Sequence, residues 1–262
     1  MSASASVMDI NADLGEGAGN DEALMASGIT SVNVACGGHA GDDNTMRSAC
    51  QAVRRQGLAL GAHPGYEDRV NFGRRPLEIS PEALRISVEA QLLRLQGHAL
   101  AAGLEIGHVK PHGALYHQAN ETPALAEALW AAMQAVIPGS ILYGPPQGAL
   151  RATAGARGGC FVAEGFIDRG YQPDGRLVPR GSSGDLITNE AEAVEQALLL
   201  ARGGRVATLC VHGDGAESCR LLNAVSRALV AEGIRLSPPS RFCLDRAGEL
   251  SVSEGAPDRP QR

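Results

Sequence analysis

The sequence predicts an α/β protein built as an irregular barrel of seven parallel strands. Three observations carry that expectation. Seven short apolar runs alternate with helical patterns, with no composition break to mark a second domain. Most of those runs end in polar or titratable residues, and parallel α/β folds build their sites at the carboxyl ends of strands. No Gly-x-Gly-x-x-Gly opens a helix, because Gly15-Glu16-Gly17-Ala18-Gly19 has the wrong spacing, which disfavours an open dinucleotide-binding sheet. The expected organisation is one barrel over residues 1–236 and a loose tail over 237–262, rich in Pro, Ser and charge.

The first strand is expected over 7–13, where Val-Met-Asp-Ile-Asn-Ala-Asp alternates apolar and polar residues, including Asn11. It runs into a glycine turn that carries Asp13 and Glu16. A second strand over 31–37 contains Asn33 and leads to His39, Asp42 and Asp43. Asp42 or Asp43 caps a helix whose apolar positions are Met46, Ala49, Cys50 and Val53, stopped by Gly57. The third strand, 58–62, ends in His63-Pro64. A polar excursion over 65–79 follows, and Tyr66 and Phe72 suggest that it is an ordered lid. Ser80-Pro81-Glu82 then starts a helix, with a cap, a proline and an acid in the first turn.

The fourth strand leads into Gly107-His108-Val109-Lys110-Pro111-His112-Gly113-Ala114-Leu115-Tyr116-His117-Gln118. Pro111 and Gly113 break the extended run, so Lys110 and the imidazoles stand at a strand end. His108 reads equally as a satisfied strand histidine, and His98 and His117 as surface residues. Thr122-Pro123 starts a further helix. The fifth strand covers 141–143, a short helix 148–154, and the sixth strand 160–163 with Glu164 at its end. A second excursion over 165–188 holds Asp168, Arg169, Tyr171 and Arg180. Asn189 caps a helix ending at Gly203. The seventh strand, 206–211, ends in His212-Gly213-Asp214, and its helix stops at Gly233.

Composition excludes several classes. A formal net charge of −6 argues against nucleic acid, and 3% aromatic residues against a stacking platform for bases or sugars. No apolar run is long enough to span a bilayer, and residues 1–6 are too short and polar for a signal peptide. The six cysteines form no Cys-x-x-Cys pair, which reads as a reduced, cytoplasmic protein without a disulfide frame or cysteine zinc site. No Gly-x-x-x-x-Gly-Lys-Ser/Thr phosphate loop occurs, so the chain has no motif for holding ATP alone.

Several motifs, in order, resemble the LamB/YcsF family, whose members are also called the A subunit of 5-oxoprolinase. They are Asp9-Ile10-Asn11-Ala12-Asp13-Leu14-Gly15-Glu16-Gly17, Asn33-Val34-Ala35-Cys36-Gly37 with His39-Ala40-Gly41-Asp42, Gly61-Ala62-His63-Pro64, and Asn71-Phe72-Gly73-Arg74. The stretch from His108 to Tyr116, Asp168-Arg169, Val178-Pro179-Arg180 and Cys210-Val211-His212-Gly213-Asp214 complete the set. Together they span roughly residues 7–236. Gly38 replaces a usual Phe and Gly65 a common Ser, and the segment before Cys210 is short. The resemblance implies a barrel of the glycoside hydrolase/deacetylase type. It also implies ATP-dependent opening of the lactam 5-oxo-L-proline to L-glutamate, with subunits B and C as partners and ATP consumed by the complex. A homo-oligomer stays open.

An unstrained lactam is a poor electrophile, so opening it requires activated water, a stabilised oxyanion and a protonated leaving nitrogen. On the implied reaction, Asp13, Glu16, His39, Asp42 and His63 can bind or deprotonate water. Lys110 can face an oxyanion or phosphoryl group, and His112 or Glu164 can pass a proton. Arg169 and Arg180 suit the substrate carboxylate, with Asn11, Asn33, Tyr116 and His212 as further substrate contacts. Against these roles, Asp42 is as good a helix cap, and Glu164 and Lys110 can simply pair with each other. Asp13, His39 and His63 could instead hold a divalent metal, which gives a rival reading as a metal-dependent deacetylase or amidase. A third reading is a non-catalytic lactam-binding protein.

Overall fold

The computed structural model describes residues 6–212 and 217–239. Most of the expected tail, and Asp214 of the seventh-strand motif, lie outside the described residues. Seven parallel strands close into a ring. They are β1 (Val7–Leu14), β2 (Ser31–Ala35), β3 (Ala59–His63), β4 (Ile106–Val109), β5 (Ile141–Gly144), β6 (Phe161–Phe166) and β7 (Thr208–Val211). They follow chain order around the ring, and β1 pairs with both β2 and β7 to close it.

Among the described residues, eight α-helices surround the strands: α1 (Asp21–Met25), α2 (Asp43–Gln56), α3 (Pro81–Ala101), α4 (Gly113–Glu121), α5 (Pro123–Val136), α6 (Ala149–Ala156), α7 (Glu190–Arg202) and α8 (Ser218–Ala231). The expected caps form. Asp42 accepts from the Asn44 and Thr45 amides, Ser80 from Ala83, and Asn189 from Ala191 and Glu192. Helices α1 and α4 were not expected. Pro111 and Gly113 do break the strand, but Gly113 (φ +51°) turns the chain directly into α4, against the Gly73 carbonyl, where a Cβ would stand 2.7 Å away.

A short eighth strand, β8 (Arg235–Leu236), also departs from expectation. The Arg235 and Ser237 amides donate to the Ser6 and Met8 carbonyls, and the next carbonyl on that edge, Ile10, accepts from Thr30. β8 thus continues the β2 side of β1 toward the barrel base. Two residues carry too little pattern to read as a strand. Cys36, Cys50, Cys210 and Cys219 are free. No described helix is long and apolar enough to cross a membrane.

Period-two alternation sorts the strand residues. Met8, Ile10, Ala12 and Leu14 of β1, Val32 and Val34 of β2, and Leu209 and Val211 of β7 join the main apolar core with the helices. The intervening residues, Asp9, Asn11, Asp13, Ser31, Asn33, Thr208 and Cys210, are buried too but stay outside that core, in hydrogen bonds with one another or with Lys110. The ring therefore encloses a polar column instead of an apolar plug. Gly61 shows how tight the packing is: a Cβ there would stand 2.0 Å from His108 Nε2.

Candidate active site

The column begins low in the barrel at Asp9. Its carboxyl accepts from Thr30, Ser31, Thr208 and, at 3.2 Å, the Tyr143 hydroxyl. Burial pushes its pKa up to about 6, although these hydrogen bonds pull the other way. Above it, Asn11 donates to Thr208 Oγ1 (2.7 Å) and Glu164 Oε1 (3.0 Å). Asn33 donates to Asn11 Oδ1 (2.7 Å) and Asp13 Oδ1 (2.9 Å) and accepts from His108 Nε2 (2.9 Å). His108 stacks on Tyr143 with centroids 4.2 Å apart. It is thus a satisfied strand histidine.

Lys110 is the hub. Its Nζ lies 2.9 Å from Asp13 Oδ1, 3.1 Å from Glu164 Oε1, 3.3 Å from Asn11 Oδ1 and 2.9 Å from Cys210 Sγ. The expected Lys110–Glu164 pair is therefore present, within a larger network. Burial works against the ammonium, but Asp13 first, with Glu164 among the others, outweighs it and holds Lys110 well above its ordinary value. Burial likewise opposes the Asp13 carboxylate, and the charges of His63 and Lys110 overcome that and hold it well below the usual range. Burial pushes the Cys210 thiol up despite the adjacent ammonium.

Four residues ring the mouth above this network. His63 Nδ1 donates to the Lys110 carbonyl (2.7 Å), so Nε2 faces Asp13 Oδ2 at 3.4 Å and His112 Nδ1 at 3.0 Å. His112 Nε2 donates to the Phe72 carbonyl (2.9 Å), which leaves its Nδ1 3.3 Å from Glu16 Oε1. His39 Nε2 donates to Glu16 Oε1 (2.9 Å), and its ring stacks on His112 with centroids 3.6 Å apart. Glu16, His39, His63 and His112 could together hold a metal ion. Of the expected metal candidates, His39 and His63 belong to this cluster together with Glu16 and His112, whereas Asp13 is engaged by Lys110. Phe72, the one described non-glycine residue at positive φ (+53°), aims its carbonyl at His112 and its ring edge-on at His39 and His112. The 65–79 excursion is thus ordered over the imidazoles.

Other expected site residues fall elsewhere. Asp42 is exposed and its carboxylate is spent capping α2, so it does not join the cluster. Arg169 is buried and donates to the carbonyls of Asp185 and Val178, which ties down the second excursion instead of offering a free fork. Arg180 is exposed, with its charge felt by Asp168. His212, partly exposed, takes Asp168 Oδ2 at 3.0 Å from Nδ1 and stacks near Phe166. Tyr116 is buried with its hydroxyl toward Glu164, and the hydroxyl and Glu164 Oε2 have no partner but each other; His39 Nδ1 has no hydrogen-bond partner. Sequence reasoning missed Asp9, Asp168 as the His212 partner, and Cys210. It also missed the sharpest signal: Lys110 is the only lysine in the chain, among 23 lysine and arginine residues.

Burial lowers the His108 pKa from 6.5 to about 3. The folded state then binds fewer protons than the unfolded chain between those values, so stability falls as pH drops from about 6.5 toward 3. Asp9 acts oppositely, its raised value costing stability as pH rises from 3.8 to about 6. His108→Gln keeps a donor for Asn33 and should remove up to about 1.4 kcal/mol per pH unit of acid sensitivity in that window. Urea midpoints measured from pH 7 to 4 check this; parallel slopes for variant and parent would refute it.

A model of the LamB/YcsF family matches residues 8–243. The A subunit of 5-oxoprolinase from Nocardia farcinica (strain IFM 10152) is 43% identical over 243 residues, covering 87% of this chain and 97% of that one. The protein of the same name from Methylococcus capsulatus is 43% identical over 247 residues, covering 88% and 95%. Among solved structures, the lactam utilization protein from Thermus thermophilus superposes with a TM-score of 0.81 at 35% identity, covering 88% of this chain and 99% of that one. A deacetylase called T48, solved with substrate, shares the fold at 11% identity with a TM-score of 0.51, covering 95% and 94%.

Proposed function

We propose, from the premise that this chain belongs to the LamB/YcsF family, that it is the lactam-opening component of an ATP-dependent 5-oxoprolinase. The substrate is 5-oxo-L-proline and the product L-glutamate. Subunits B and C are its partners, and the barrel is the catalytic domain. The names and extents of the relatives support a hydrolase of this kind working within a multi-subunit assembly.

The observation that carries the reading is a buried pair of polar groups, the Tyr116 hydroxyl and the second oxygen of the carboxylate that pairs with Lys110. Glu164 Oε2 and the Tyr116 hydroxyl are buried side by side, with no partner but each other. A buried group left unpaired costs free energy. A cyclic amide presents an N–H and a C=O on one edge, one donor and one acceptor, which would satisfy both. Glu164 then holds the ring nitrogen that must leave as an amine, and the proton that this nitrogen takes up as the C–N bond breaks is the one the attacking water releases. Lys110, kept charged by Asp13 and Glu164, supplies a fixed positive field for the oxygen that gains charge as water adds and the C–N bond breaks. Glu16, His39, His63 and His112 supply the basic atoms for that water. Arg180 suits the substrate carboxylate, and His212, oriented by Asp168, lines the same side. The chain carries no phosphate loop, so ATP chemistry is assigned to the partners, which would pass on an activated lactam.

The test is glutamate release from 5-oxoproline with ATP, run on the purified chain and again with subunits B and C. The expected result is background turnover alone and ATP-dependent turnover together. Full ATP-dependent activity from the chain alone would remove the partner assignment. Activity without ATP would support the metal-dependent amidase, the alternative that the mouth cluster favours. Binding of 5-oxoproline with no turnover in the assembly would leave a lactam-binding protein.

A further inference from the structure

We propose that Glu16, His63 and His112 hold one divalent transition-metal ion of the zinc class at the barrel mouth, with His39 fixing the Glu16 carboxylate. The inference rests on these side chains and stands whether or not the substrate is a lactam.

The argument starts from the ring nitrogens. A backbone carbonyl can only accept a hydrogen bond. The Lys110 carbonyl therefore fixes the proton of His63 on Nδ1, and the Phe72 carbonyl fixes that of His112 on Nε2. In their neutral forms both histidines turn bare lone pairs, His63 Nε2 and His112 Nδ1, toward each other across 3.0 Å. The Glu16 carboxylate adds a third acceptor, 3.3 Å from His112 Nδ1 and 3.7 Å from His63 Nε2. Three electron pairs converge on one point with no donor between them, and all three residues are buried or nearly so. A cation at the centre, a metal ion or a proton shared between the two rings, satisfies such an arrangement.

Spacing and surroundings choose the cation. Ligands about 2.0–2.1 Å from a tetrahedral ion stand about 3.3 Å from one another. The 3.0, 3.3 and 3.7 Å edges bracket that value. Two imidazoles and a carboxylate suit zinc and its neighbours, whereas magnesium and calcium prefer all-oxygen sets. Ligating histidines commonly anchor their far nitrogen on a carbonyl, which orients the ring, and both rings here do so. His39 donates to Glu16 Oε1 at 2.9 Å and so orients the carboxylate. Three protein ligands leave one position open to a water, the pattern of hydrolytic metal sites. Asp13 stays outside the set because Lys110 neutralises it at 2.9 Å.

The experiment uses the tag-free full chain, stripped with chelator and then loaded separately with Zn²⁺ and Co²⁺. Metal content after gel filtration should be about one equivalent per chain, and bound Co²⁺ should show the intense visible bands of a four- or five-coordinate site. His63→Ala, His112→Gln and Glu16→Gln should each lower affinity at least about tenfold, and His39→Ala by less, because it only orients a ligand. His117→Ala, an exposed histidine on α4, should bind like the parent. Thermal melts separate lost sites from lost fold. Less than about a tenth of an equivalent on the natively folded parent, with no Co²⁺ bands, would overturn the proposal and leave a proton as the occupant. Equal loss in His117→Ala and His63→Ala would overturn it too. Neither readout requires lactam turnover, so failure here and failure of the substrate assignment are distinguishable.

Discussion

Asp13→Asn should lower glutamate formation by about 10²- to 10⁴-fold in the assembled enzyme, the usual scale for a group that handles protons or holds the charge that does. The substitution is nearly isosteric. An amide oxygen can still accept from Asn33 and Lys110, which lie 2.9 Å away in the parent, so the barrel should fold. What disappears is the negative charge between the ammonium of Lys110 and the imidazole of His63, 3.4 Å from the second carboxylate oxygen. His63→Ala should lose a similar factor by removing the ring itself. Steady-state rates with the partner subunits, beside a thermal melt of each variant, decide the matter. Near-normal rates in both variants would show that the polar column is scaffolding and that the reaction takes place elsewhere.

Lys110→Met should be the most destabilising single change in the molecule, about 3–5 kcal/mol, because it strands the carboxylates of Asp13 and Glu164 in a buried interior. Both lie within 3.1 Å of Nζ. Lys110→Arg should not rescue activity. Nζ meets four partners from β1, β6 and β7 at 2.9–3.3 Å, a space suited to a compact ammonium and not to a planar fork. The discriminating variant is the triple change Lys110→Met, Asp13→Asn, Glu164→Gln. If stranded charge is the cause, it should recover much of the loss while remaining inactive. Denaturant midpoints of single and triple variants measure this. A Lys110→Met cost below about 1 kcal/mol would mean that the carboxylates find protons or water cheaply, against the magnitude expected of a broken buried pair.

These two results probe the part of the molecule that the sequence described best. The barrel was legible because β1 alternates so strictly: Met8, Ile10, Ala12 and Leu14 face the helices, while Asp9, Asn11 and Asp13 do not. Strand ends were legible from the polar residue that closes each apolar run, which brought His63, Lys110, His112 and Glu164 forward together. The losses have physical causes. Asp42 looks the same as catalyst or as cap, and only the positions of the Asn44 and Thr45 amides separate the two. Arg169 carries a fork suited to a carboxylate, and two carbonyls in its own loop claim it. The mouth cluster could not be read from spacing, since Glu16, His39, His63 and His112 come from separate strand ends and loops far apart in the chain. Only the fold brings them together.

The placement of Lys110 has a practical consequence. Apart from any terminal amine, the one primary amine of this 27.1 kDa chain lies sealed at the centre of the ring. Growth on lysine labelled with nitrogen-15 at its ε-amine would give one side-chain resonance, from the atom that touches both carboxylates, against a silent background. Acylating reagents and amine crosslinkers would meet no lysine on the surface, so their uptake would report opening of the barrel. The chain thus carries a built-in probe of its own interior, installed by composition alone.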